Sequence, residues 1–190
     1  MNLPNKLTIL RIVFTFIYMV FLFMQGVIWK YVALFIFLAA MLTDWYDGKI
    51  ARERNQITNF GKLMDPIADK ILILASFMAF VELKIIPAWM VVVIILRELV
   101  ITGLRVFAAS KSVVLEAQKE GKHKTVSQFV VVISILIYLI LKGHFLKSGY
   151  QTLTFETISH AILYGMMTVT IILTLYSGIS YLWKNRRVIT

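Results

Sequence analysis

Tyr31-Val32-Ala33-Leu34-Phe35-Ile36-Phe37-Leu38-Ala39-Ala40-Met41-Leu42-Thr43-Asp44-Trp45-Tyr46-Asp47 is the stretch on which the fold turns. It begins as an uninterrupted apolar run, too short for the roughly 20 residues that a helix needs to cross a bilayer. It reaches that length only by taking Asp44 and Asp47 into its last turns. The run Ile71 to Val81 has the mirror problem, because it needs Asp65, Asp69 and Lys70 in its first turns. Carboxylates inside spanning segments are costly when they face lipid, so they are expected to face a polar interior.

Composition supports a membrane reading. Of 190 residues, 59% are apolar, and the mean hydropathy is +0.81. Soluble domains are nearer 45–50% apolar. Further apolar runs lie at Ile12 to Trp29, from Ile86 through Arg97, Glu98 and Arg105, at Thr125 to Leu141 and at Thr157 to Trp183. The expectation is one all-α integral membrane domain over 1–190. It has six transmembrane helices and a polar cavity open to the cytoplasm. A short interfacial segment around Pro4 precedes the first span, and Pro4 suits a helix start. The first apolar run reads as a span and not a cleavable signal, since a second run follows at once.

Charge orients the chain. Thirteen Lys and Arg fall at the N-terminus, in 49–62, in 111–124 and in the C-terminal tail, against Lys30, Lys84, Lys142 and Lys147 on the other side. The positive-inside rule then places both termini in the cytoplasm, in a multi-pass protein of the cell membrane. The net charge of +10 is accounted for by these loops and by anionic lipid, and no nucleic-acid partner is implied. The chain has no cysteine, which excludes disulfides, thiolate metal sites and a cysteine nucleophile. None of His123, His144 and His160 has a partner at metal-binding spacing.

Asp44, Asp47, Asp65 and Asp69 are the only aspartates in the chain. The first two are three apart and the second two are four apart, so each pair shares a helix face. A short connection makes the two helices antiparallel neighbours, and the carboxylates can converge at one depth. Four such groups cannot sit together ionised without counter-charge. Hard oxygen ligands suit Mg²⁺ or Mn²⁺, and two ions would balance the set and serve phosphoryl chemistry. Gly48, Ala51 and Gly61 are small enough to let a bulky ligand approach a helix backbone. Arg52 is placed to reach a phosphate.

Taken together, Asp44-Trp45-Tyr46-Asp47-Gly48-Lys49-Ile50-Ala51-Arg52, eight further residues, and Gly61-Lys62-Leu63-Met64-Asp65-Pro66-Ile67-Ala68-Asp69 resemble the signature of the CDP-alcohol phosphotransferases. That signature is D-x-x-D-G-x-x-A-R, a gap, then G-x-x-x-D-x-x-x-D, and all eight defining positions are matched. The resemblance implies that Asp44, Asp47 and Asp65 are metal ligands. It implies that Asp69 is both a ligand and the base that deprotonates the acceptor hydroxyl. Gly48 and Arg52 match positions that hold the nucleotide pyrophosphate, with Asp44, Ala51, Thr58 and Gly61 completing the implied CDP-diacylglycerol site. The implied reaction transfers a substituted phosphate from a CDP-linked donor to an alcohol, releasing CMP, and members are commonly homodimers.

Arg97-Glu98-Leu99-Val100-Ile101-Thr102-Gly103-Leu104-Arg105, and Gly121-Lys122-His123-Lys124-Thr125 with Gln128 one turn on, resemble the phosphatidylglycerophosphate-forming branch. Its acceptor is sn-glycerol 3-phosphate. A phosphate dianion needs cations, and Arg105, Lys122 and Lys124 are the expected members of that site. Arg97 and Glu98 lie deeper and either pair with each other or brace the site. The rival readings are a sister enzyme using inositol phosphate, serine or another alcohol, and a divalent-cation transporter. Against transport, the acidic groups cluster at one membrane face instead of tracing a route across.

Overall fold

The computed structural model describes residues 3–54, 59–110, 120–148 and 153–186. Among them are six helices and no strand: α1 Leu3–Phe23, α2 Val27–Arg54, α3 Asn59–Glu82, α4 Ala88–Ser110, α5 Glu120–Lys147 and α6 Leu153–Lys184. The helix count agrees with the expectation, but the first boundaries do not. The first run was expected to continue to Trp29. Instead α1 stops at Phe23, and Gly26 turns the chain with φ at 107°. Only a residue without Cβ takes that angle cheaply. Lys30, expected as a loop charge, lies in the first turns of α2 and folds back. Its Nζ donates to the Leu22 carbonyl and to the Met24 carbonyl at 2.8 Å. Those are carbonyls that the end of a helix leaves without an intrahelical partner. The N-terminal segment expected as a separate interfacial piece is also revised: Leu3 and Pro4 are the first turn of α1 itself.

The α3–α4 turn is built differently. Lys84 adopts a left-handed φ of 56°. Its N–H bonds the Val81 carbonyl, and the Ile85 N–H bonds the Phe80 carbonyl, both at 2.9 Å. This double closure is the Schellman arrangement, usually given to glycine. Pro87 then precedes the first turn of α4.

The interior is apolar and aromatic. Tyr18 of α1, Phe37 of α2, Phe77 and Phe80 of α3, Ile94 of α4, Ile135 and Leu136 of α5 and Met167 of α6 are all buried. Phe37 is central: its ring lies 5.6 Å from Tyr18 and 6.0 Å from Phe129, tying α2 to α1 and to α5. The exterior is apolar too. Phe16, Phe35 and Trp183 are each more than two-thirds exposed. Patches of this kind on a water-facing surface would drive association. His123–Leu146 and Leu153–Lys184 are long and apolar enough to cross a membrane, and Ile9–Phe23 and Val27–Thr43 are shorter apolar helices.

Helices α5 and α6 run antiparallel, in a register fixed by three contacts. Tyr138 and His160 hydrogen-bond at 3.1 Å, Lys142 and Glu156 pair at 3.1 Å, and the Phe145 and Phe155 rings lie 4.8 Å apart. Near the same end Tyr31 of α2 hydrogen-bonds His144 of α5 at 3.1 Å. These contacts give His144 and His160 structural partners. At the α2–α5 crossing a Cβ on Gly143 would lie 2.4 Å from Val27 Cγ2. Gly143→Ala should therefore destabilise the protein by about 1–3 kcal/mol, the usual range for overpacking. Val27→Ala in the same chain should recover most of the loss. Thermal unfolding of the three proteins in one detergent tests this, and an unchanged midpoint in Gly143→Ala would refute the close crossing.

Candidate active site

The signature lies on two helices that touch. Asp44, Asp47, Gly48, Ala51 and Arg52 belong to the last half of α2, and Gly61, Asp65 and Asp69 to the first half of α3. The backbone is helical through both acidic pairs, so the spacing arguments for a shared face hold at each. The side chains of these residues lie outside the described residues, as does Thr58 altogether; Lys122 is on α5 with its side chain likewise outside them. Four carboxylates on adjoining helix segments fit a hard divalent cation in donor type and in charge.

What is described begins one residue later, at Lys70. Its Nζ reaches Glu98 Oε2 at 3.5 Å and donates to Thr102 Oγ1, both on α4. Glu98 also receives Lys124 of α5 and Arg97 of α4 on its other oxygen, the latter at 3.2 Å. One carboxylate thus gathers cations from α3, α4 and α5. Glu98 and Lys124 are each only 6% exposed. A single charge buried to that degree would cost several kcal/mol, and pairing with further hydrogen bonds is what makes such burial tolerable. Arg97 and Glu98 do pair, and Glu98 also receives Lys70 and Lys124.

Helix α6 supplies the far wall. The Arg97 guanidinium donates to Ser177 Oγ at 2.7 Å. A Cβ on Gly178 would sit 3.0 Å from Arg97 Cγ and 3.4 Å from its Nε, so glycine lets the arginine lie against the helix. One turn on, Arg105 Nε donates to Tyr181 OH at 3.3 Å, with the guanidinium carbon 5.4 Å from the ring centroid. Lys124 and Arg105, expected together, are held differently: Lys124 is buried against Glu98, while Arg105 is exposed and bonded to Tyr181 of α6.

Lys70, Ser177, Gly178 and Tyr181 were not singled out from sequence. For α6 a signal existed. Thr170, Thr174, Ser177 and Tyr181 recur every three or four residues in an otherwise apolar helix, and all four are buried. A buried polar stripe of that period marks a helix face turned to a polar interior.

The family model for CDP-alcohol phosphatidyltransferase matches residues 1–176. The chain is 35% identical to a Bacillus subtilis protein named CDP-diacylglycerol–glycerol-3-phosphate 3-phosphatidyltransferase, over 97% of this chain and 95% of that one. It is 34% identical to a probable phosphatidylglycerophosphate synthase of Mycobacterium tuberculosis, over 98% and 82%. A Rickettsia felis protein with the same name as the Bacillus one is 35% identical over 72% and 75%. This all-helical membrane protein belongs to the CDP-alcohol phosphatidyltransferase family.

Proposed function

We propose that this protein transfers the phosphatidyl group of CDP-diacylglycerol to sn-glycerol 3-phosphate, giving phosphatidylglycerophosphate and CMP. The observation that carries the reading is the complete eight-position signature on adjoining segments of α2 and α3, beside a cationic cluster on α3, α4 and α5. The names of the full-length relatives support the same donor and acceptor.

In this reading Asp44, Asp47, Asp65 and Asp69 hold two Mg²⁺ or Mn²⁺ ions. When bound, such ions polarise the donor pyrophosphate and offset charge on departing CMP. The protein's own residues do the rest. Gly48, Ala51 and Gly61 let the nucleotide lie close to the helix backbone, and Asp44, Arg52 and Thr58 orient it. Asp69 removes the proton of the glycerol hydroxyl, which attacks the β-phosphorus directly. Arg105, Lys122 and Lys124 hold the acceptor phosphate, whose charge-assisted hydrogen bonds fix its orientation. The donor's acyl chains stay in the bilayer and enter laterally. Six spans with cytoplasmic termini place the site on the cytoplasmic face, where glycerol 3-phosphate is supplied from water. A homodimer is the proposed assembly.

Purified enzyme with CDP-diacylglycerol and Mg²⁺, screened against glycerol 3-phosphate, inositol phosphate, serine and glycerol, tests the reaction. Glycerol 3-phosphate should be strongly preferred. Preference for another alcohol would overturn the acceptor assignment, and Mn²⁺ uptake by proteoliposomes without any transfer would overturn the enzyme reading.

Two residue-level outcomes follow from the chemistry. Asp→Asn at 44, 47, 65 or 69 should lower turnover by about 10²-fold or more, the scale of losing a key electrostatic group. Activity should vanish in EDTA and return with Mg²⁺; full turnover in EDTA would sink the metal assignment. Arg105→Ala should weaken glycerol 3-phosphate use by roughly 10- to 100-fold, since each 1.4 kcal/mol is tenfold and a charged hydrogen bond contributes about 1.5–3 kcal/mol. The KM for CDP-diacylglycerol should move much less.

Direct attack also has a stereochemical signature. Transfer from a donor chiral at the β-phosphorus should invert configuration, with sequential kinetics in place of the ping-pong pattern of a covalent intermediate. Retention of configuration, read by phosphorus NMR of the product, is the result that direct displacement does not allow.

A further inference from the structure

We infer that Glu98 is the positioning residue of the acceptor site. It sets where the cations from three helices stand relative to Asp69, and Ser177 is its counterpart on α6. The inference rests on the acceptor reading above and deepens it.

The first ground is how the carboxylate is used. Glu98 Oε1 takes Arg97 at 3.2 Å together with Lys124, and Oε2 faces Lys70 at 3.5 Å. Both oxygens are occupied by cations. Each cation keeps donors to spare, because an ammonium has three and a guanidinium five. Lys124 and Arg97 are thus aimed by Glu98 without being used up by it.

The second ground is charge. Among the described residues three cations, Lys70, Arg97 and Lys124, meet on one carboxylate, Glu98. Arg97 and Lys124, both largely buried, share that one carboxylate, a surplus of positive charge that a one-to-one structural pair would avoid. A dianionic phosphate monoester removes most of that surplus.

The third ground is unmet hydrogen bonding. Gln128 is 3% exposed, and its Nε2 has no partner; neither has Arg97 Nε. Gln128 lies one turn beyond Lys124 on the same face of α5. Both orphan groups are donors. An occupant that satisfies them must bring acceptor oxygens, which agrees with the sign demanded by the charges. The hydroxyls of Thr170 and Thr174 are buried and unpartnered as well. Thr15, Ser76, Thr157 and Thr168 instead bond back to the carbonyl four residues earlier. Gln128 on α5 and Thr170 and Thr174 on α6 thus carry buried polar groups without partners, as Arg97 does on α4.

The fourth ground is connectivity. Lys70 follows Asp69 directly, so the bond from Glu98 to Lys70 ties the acceptor cations to the helix that carries the proposed base. A glycerol phosphate is short. Its phosphate and its reacting hydroxyl must be held at a fixed separation, and misplacement of about 1 Å can cost on the order of 10²-fold in rate.

The test is steady-state kinetics in both substrates for wild type, Glu98→Gln, Glu98→Asp and Ser177→Ala. Glu98→Gln should raise the KM for glycerol 3-phosphate by about 10- to 100-fold, as for the loss of one well-formed charged contact. The KM for CDP-diacylglycerol should stay within about threefold. Glu98→Asp, which keeps the charge but shortens the reach, should recover part of that loss. Ser177→Ala, which frees one side of Arg97, should give a several-fold rise in the same KM. A structural role alone would lower stability and affect both substrates together, without rescue by aspartate. Should Glu98→Gln fail to fold, Glu98→Asp and Ser177→Ala carry the same readout. If wild type uses glycerol 3-phosphate and these two variants keep its KM within twofold, Glu98 is not a positioning residue. If wild type ignores glycerol 3-phosphate, the acceptor reading falls, and this inference falls with it.

Discussion

Ionised groups inside an apolar protein must find their counter-charges within it, and in this molecule that requirement organises half of the helices. Glu98 is the centre of the described part. Its burial is possible because Lys70, Arg97 and Lys124 converge on it from α3, α4 and α5. Those helices cannot slide or rotate far without stranding a charge. The glycine at position 178 belongs to the same constraint, since it lets Arg97 lie against α6 and reach Ser177. The ionic assembly fixes the relative depth of four helices, and the apolar core around Phe37 and Phe77 fixes their separation.

The two ends of the bundle solve different problems. At the end carrying Tyr138, Lys142, Glu156 and His160, polar groups are paired one to one: Lys142 with Glu156, Tyr138 with His160, Tyr31 with His144. At the Glu98 end cations outnumber the described carboxylate, and buried donors lack partners.

Much of this was legible in the sequence, for identifiable reasons. Helix positions could be read because lipid exposure demands long apolar runs, and the run ending at Asp44 and Asp47 shows where a polar interior must begin. The family could be read because eight positions at fixed spacing leave little room for coincidence. The boundary between α1 and α2 could not. Ile12 to Trp29 is a continuous apolar run, and the break depends on one backbone angle at Gly26 and on Lys30 turning back to close the end of α1. Hydropathy carries no record of either. The site was half legible. Lys124 and Arg105 stood out as charges at helix ends, but the groups that hold them, Glu98 for Lys124 and Tyr181 for Arg105, lie far away in sequence on other helices. Only the packing of α3, α4, α5 and α6 brings them together.

The position of Lys70 gives this packing its functional sense. An enzyme joining a lipid-borne phosphate to a water-soluble alcohol has to register two sites built on different helices, and both must survive the insertion of substrate. Here α3 belongs to both. Its Asp65 and Asp69 face the donor chemistry in the proposed reading, while the next residue, Lys70, is held by Glu98 and Thr102 of α4. Any shift of α4 is therefore transmitted to α3 through the Glu98–Lys70 contact, and from there to the proposed base one residue away. Rigid helices connected in this manner keep a reactive hydroxyl and its acceptor phosphorus in line at little entropic cost in the bound state. A loop carrying the same charges would have to be ordered anew at each turnover. The buried ionic centre, expensive as a source of stability, is well suited to that task, because its geometry cannot drift without exposing a charge to apolar surroundings.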